Sequence, residues 1–191
     1  PIYFAITSGT TSGTKYIPIT KESLPEHLNA SKNAIFLYIN ETGNTSFLSG
    51  KFIFLQGSPV LGLEGVIKTG RLSGISAHHI PNYLQSNRLP SWETNCIEDW
   101  EKKVDKIIEE TIDQDMTIIG GIPSWVQMYF EKITKLKNKK IGDVFKNLNL
   151  FIYGGVNFEP YKKKFTDLIG RNVDSIELYP ASEGFFAYQN T

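Results

Sequence analysis

The sequence has a single cysteine, Cys96, among 191 residues, so no internal disulfide can form and nothing in it requires an oxidising compartment. Net charge is also missing. Twenty basic and 20 acidic residues cancel, which removes any general attraction to nucleic acid or to an anionic membrane. No apolar run approaches the roughly 18 residues of a membrane span, and no basic-then-apolar leader opens the chain. Internal repeats and low-complexity segments are absent. These gaps leave a cytoplasmic protein as the expectation, with no nucleic-acid and no membrane partner.

The chain also lacks ordinary ends. It opens directly on PIYFAI and finishes on FFAYQNT, where polar, loosely held residues are usual. The expectation is a piece of a longer protein, holding at most one large domain.

What is present is an alternation of strand and helix signals. YFAI and YIPI read as short strands around a polar loop, with Pro18 arguing against a helix directly after Lys15. Ser23 with Glu26 three residues on predicts a capped helix toward Tyr38. Lys51–Gly57 reads as a strand, and Val66–Ile75, interrupted by Gly70 and Gly74, as a hairpin or irregular insert. From Ile97 the apolar positions Trp100, Val104, Ile107, Ile108 and Ile112 form a helical stripe. Met116–Ile119 predicts a buried strand breaking at Gly120-Gly121, and Ser124–Leu136 a second helix. Leu148–Gly155 is a strand ending in glycines, EPYKKKFTDLIG a helix closed by Gly170, and DSIELYPASEG a strand with a polar end. This order predicts an α/β fold with a largely parallel sheet.

In such folds ligands gather at the carboxyl ends of the strands. Three unusual polar segments follow predicted strands: TSGTTSGTK (Thr7–Lys15), YGGVN and YPASEG. Each has a plain reading, as a hairpin, a turn and a solvated glutamate. Together they point to an anion site, because glycines let amides face a phosphate, hydroxyls add donors and Lys15 adds charge. TSGTTSGTK is not the P-loop pattern G-x-x-x-x-G-K-[ST]: Gly9 and Gly13 are three residues apart, Thr14 precedes Lys15 and Tyr16 follows it.

TSGTTSGTKYIP resembles the phosphate loop of adenylate-forming enzymes, in particular the auxin-responsive acyl-acid amido synthetases and their bacterial relatives. IGGIPSW, YGGVNFEPY and Tyr179-Pro180-Ala181-Ser182-Glu183 resemble later segments of that family in the same order, over residues 7 to 184. One departure is that only Thr14 separates Gly13 from Lys15, where many relatives have two residues. The resemblance implies part of the large amino-terminal domain, with the mobile carboxy-terminal domain absent. It implies ATP and Mg²⁺ as cofactors and a carboxylic acid and an amino acid as partners. Ser8, Gly9, Thr10, Thr11, Ser12 and Gly13 would line the phosphates, with Lys15 adding charge. Gly154, Gly155, Val156 and Asn157 would border the adenine and Tyr179 would pack by it. Ser182 would approach the α-phosphate, and Glu183 would hold Mg²⁺. The implied reaction forms an acyl-adenylate and then an amide, without a protein nucleophile, by positioning and charge neutralisation. Transfer of the acyl group to coenzyme A, or a non-catalytic binding module, are the alternatives.

Other features have plainer readings. His78-His79 lacks a third ligand spaced for zinc and reads as a loop pair. Trp92, Trp100 and Trp125 could line an acyl pocket, but aromatics at helical spacing are more often core. Lys162, Lys163 and Lys164 read as the solvated face of a helix, and Glu159 as a partner of that helix's dipole.

Overall fold

Alternating side chains along the central strands feed two separate cores, one on each face of a sheet. In the computed structural model residues 1–9 and 13–189 are described. The chain begins with β1 (Tyr3–Gly9), β2 (Gly13–Ile19), the helix α1 (Ser23–Thr42), a 3-10 turn (Ser46–Ser49) and β3 (Lys51–Leu55). Then come β4 (Gly62–Glu64), β5 (Ile67–Gly70), α2 (Leu72–Ala77), α3 (Asn82–Gln85), β6 (Arg88–Leu89) and α4 (Trp92–Asn95). The remaining elements are α5 (Trp100–Thr111), β7 (Met116–Gly121), α6 (Pro123–Lys137), α7 (Ile141–Val144), β8 (Leu150–Gly154), α8 (Glu159–Ile169), β9 (Asp174–Ala181) and β10 (Gly184–Tyr188).

The larger sheet has the order β10-β9-β8-β7-β3-β6 and is parallel except for β10, which returns antiparallel to β9. Phe151 and Tyr153 of β8 point into a core built with α5, α6, α7 and α8, where Val104, Tyr129, Phe130, Ile133 and Phe165 are buried. The intervening Leu150 and Ile152, with Ile118 and Ile176, pack the other way against Ala34 and Tyr38 of α1 and against Phe47. Strands covered on both faces carry little polarity, which is why β8 reads as a continuous apolar run. The smaller sheet, β2-β1-β5-β4, pairs β1 antiparallel with β2 and parallel with β5. Pro18 sits in β2, an edge strand, where its missing amide leaves the ladder intact.

The α/β organisation expected from the sequence is present, with three local differences. The reciprocal helix-start pattern is made by Thr20 and Ser23, each side chain accepting from the other's amide at 3.1 and 3.0 Å, rather than by Ser23 and Glu26. Of the two readings of Val66–Ile75, hairpin or irregular insert, the hairpin holds for β4–β5, but the segment then continues into the helix α2. Gly74 lies inside that helix because a Cβ there would press on Ser58 O at 3.1 Å and Pro59 Cα at 3.2 Å, so it serves close packing instead of a turn. The last predicted strand is a hairpin, and Ser182 and Glu183 form its two-residue turn between the paired Ala181 and Gly184.

Candidate functional site

The carboxyl ends of β3, β7, β8 and β9 surround a cleft of about 310 Å³. Its lining is mostly apolar: Phe54 and Leu55 from β3, Ile122 and Trp125 after β7, Ile152 and Tyr153 from β8, Leu178 and Pro180 from β9. Glycine opens it. At Gly154 a Cβ would strike the carbonyl oxygen of Leu178 on the adjacent strand, and Gly121 holds φ at 147° beside Leu55, a conformation side chains rarely adopt. Gly154 and Gly155 both line the cleft.

Other residues singled out by sequence fall at the ends of these strands. Val156 and Asn157 are exposed, and Asn157 Oδ1 accepts from the amide of Glu159 at 3.1 Å, so Asn157 also caps the entry to α8. Tyr179 is 60% exposed and packs on Phe186 with ring centroids 5.4 Å apart; it alternates away from Leu178 and Pro180, which line the cleft. Ser182 is half-buried and Glu183 exposed at the β9–β10 turn.

The opening loop belongs to a hairpin whose pairing runs deeper than its composition indicates. Thr7 pairs with Lys15, Ser8 with Thr14 and Gly9 with Gly13, and Lys15 is exposed. Thr10, Thr11 and Ser12 lie outside the described residues.

Among the described residues no three His, Cys, Asp or Glu side chains cluster as a metal site. His78 Nε2 lies 2.9 Å from Pro59 O, and His79 Nε2 3.1 Å from the Tyr3 hydroxyl, so the two rings diverge to separate partners. A single exposed carboxylate, Glu183, fits a hard cation that takes its other ligands from phosphate oxygens and water.

A second cavity, of about 470 Å³, adjoins the cleft. Gly57, Arg71 and Trp125 line both spaces. Trp125 stacks on Trp100, which lines the second cavity. Arg71, Glu98 and Lys103 bring charge to that cavity. Lys103 is 1% exposed, and its ammonium donates to the carbonyl oxygens of Asn95 at 2.6 Å and Gln56 at 3.0 Å. Burial pushes its pKa down to about 8, with the nearby Cys96 opposing the shift. No local pattern in the sequence marks Arg71 or Glu98. Lys103 carried one signal: it falls three residues after Trp100 and four before Ile107, on the apolar stripe of α5.

No family model and no curated protein matches the chain. Among solved structures it is similar to the acyl acid amido synthetase AtGH3.15 in complex with 2,4-DB, with a TM-score of 0.64 at 12% identity over 96% of this chain and 42% of that one. It is also similar to an open conformation of 2-hydroxyisobutyryl-CoA ligase in complex with 2-HIB-AMP and CoA, with a TM-score of 0.53 at 11% identity over 94% of this chain and 36% of that one. The chain thus spans about two fifths of the synthetase and somewhat less of the ligase. Both are adenylate-forming enzymes, and the fold shared with them is the one that the ordered motifs imply.

Proposed function

We propose that this chain is part of the large domain of an enzyme that activates a carboxylic acid as its adenylate and passes the acyl group to the amine of an amino acid. The observation that carries this reading is a convergence at the strand ends. Tyr153, Gly154 and Gly155 of YGGVN, at the end of β8, and Pro180 of YPASEG, near the end of β9, all line the one apolar cleft. The fold shared with two adenylate-forming enzymes supports the same reading by a separate route.

In this reading the apolar cleft takes the acid's body and part of the nucleotide. Gly154 and Gly155 let flat groups approach the backbone, and Val156, Asn157 and Tyr179 border the base. The Thr7–Lys15 hairpin faces the phosphates. Ser182 stands by the α-phosphate, and Glu183 would hold Mg²⁺, whose contribution is to neutralise phosphate charge. No side chain has to act as a nucleophile; the protein's part is to hold the acid's carboxylate in line with the α-phosphorus.

In adenylate-forming enzymes a second domain closes over the site, excluding water and completing the positioning. The 191 residues by themselves should therefore bind nucleotide without turning it over. Likeness to a CoA ligase favours a second reading, transfer of the acyl group to a thiol. The test has two stages. ATP should raise the melting temperature of the chain; no shift would leave a non-catalytic module as the reading. Acid-dependent pyrophosphate exchange, followed by product analysis with amino acids and with coenzyme A, should then be measured on a longer chain containing these residues. Exchange with thioester as the sole product would overturn amide formation.

A further inference from the structure

Two connections far apart in sequence are stitched together beside the cleft by a buried ammonium. Lys103 projects from α5, whose Val104 and Ile107 are fixed in the main core, and is itself 1% exposed. Its Nζ donates at 3.0 Å to the carbonyl oxygen of Gln56, the first residue after β3, and at 2.6 Å to that of Asn95, the last residue of α4. Just beyond, the Ser58 hydroxyl donates to the carbonyl oxygen of Cys96 at 3.2 Å. The last carbonyls of a helix have no partner within it, and a strand's ladder ends where the chain turns away, so both oxygens need donors from elsewhere.

The stitched segment is a wall of the site. Gln56 lines the cleft, Gly57 lines both spaces and Ser58 lines the second. Packing alone does not call for a charge at 103: methionine has nearly the same length, and burying an ammonium is costly. What the ammonium adds is two charge-assisted bonds, each about twice as strong as a neutral one. We infer that Lys103 is a positioning residue, whose ammonium sets the place of the Gln56–Ser58 wall against which the cleft's occupant lies. It touches no substrate in this role and acts through Gln56 and Gly57. The inference rests on the reading of the cleft given above. The titratable groups around the ammonium are Cys96, beside the Asn95 carbonyl, and Arg71 and Glu98, both exposed, which line the same cavity.

The test is an NMR pH titration of the 191-residue chain that follows the amide nitrogens of Gly57 and Cys96, which share peptide groups with the two bonded carbonyls. Both signals should move with one midpoint at about 8, where burial places the Lys103 ammonium. Cys96→Ser, which removes the thiol as a source of the signal, should keep both movements, and Lys103→Met should abolish both. ATP is titrated in parallel. Lys103→Met should weaken its binding severalfold, up to about tenfold, the scale of one charge-assisted hydrogen bond. Tyr129→Phe loses a buried bond to Thr111 between α6 and α5, and should leave the affinity unchanged, since a general loss of stability does not move the wall. Equal ATP affinity in Lys103→Met and the unaltered chain, or equal losses in Lys103→Met and Tyr129→Phe, would overturn the positioning role. Absence of a shared midpoint in the unaltered chain would overturn it whether or not the variants fold. A shared midpoint in a chain that binds no ATP would keep the stitch and sink the reading of the cleft.

Discussion

The indoles of Trp100 and Trp125 stack with ring centroids 4.3 Å apart and planes 28° from parallel. They join α5 to α6 at the wall between the two cavities, and Trp100 also donates from Nε1 to Sδ of Met128 at 3.1 Å. Trp125→Ala should lower stability by about 2–3 kcal/mol, since it removes a half-buried aromatic pair, while Trp125→Phe should recover most of that. Urea denaturation of the three proteins measures it. A loss under about 0.5 kcal/mol, the usual range for exposed positions, would mean the stack contributes nothing of note.

Lys103 gives a pH prediction. Its native pKa is lowered to about 8 by burial, against an ordinary value of 10.5. Between those values the unfolded chain holds more protons than the folded one, so this group's contribution to stability rises with pH across that window. Its penalty is full below pH 8 and relieved above 10.5. Lys103→Met should abolish that component. Denaturation midpoints of both proteins at pH 7.5, 9 and 10 would show it as a rise with pH in the unaltered chain that the variant lacks; parallel pH profiles would refute it.

Gly154→Ala places a methyl against the carbonyl oxygen of Leu178, across the β8–β9 pairing. Separating two central strands should cost about 1–3 kcal/mol or more, the scale of overpacking a tight interior, and should reduce any ATP-induced rise in melting temperature. Unaltered stability would show that β9 yields freely at this point.

Glu183 lies exposed in a two-residue turn. Glu183→Ala should change stability by less than about 0.5 kcal/mol. It should weaken ATP binding severalfold when magnesium is present and little when magnesium is chelated. Calorimetric titrations with and without the metal separate the cases, and equal losses in both would mark Glu183 as a residue of the turn alone.

Regular elements were legible wherever one periodicity ruled. The Trp100–Ile112 stripe gave α5, the run Leu148–Gly155 gave β8, which spans Leu150–Gly154, and Gly170 closed α8 with a left-handed φ of 79°. Local composition misled where tertiary packing set the role of a residue. Gly74 reads as a breaker but sits within α2, since the breaker's missing side chain is what the Ser58–Pro59 backbone needs. Thr7, Ser8 and Thr14 read as loop but extend the β1–β2 ladder, because backbone pairing is indifferent to polar side chains on an edge hairpin. The cleft was foreseeable from glycines at strand ends. The second cavity was not, because Arg71 and Glu98 lie in connections and Lys103 on α5, with no shared spacing, and only the fold brings them around one space.

The wall shared by the two cavities has a thermodynamic consequence. A ligand that reoriented Trp125 or Arg71 from one side would change the wall that the other side presents, so two occupants would be linked through the same side chains. Linkage is reciprocal: whatever factor one occupant applies to its neighbour's dissociation constant is returned to it unchanged.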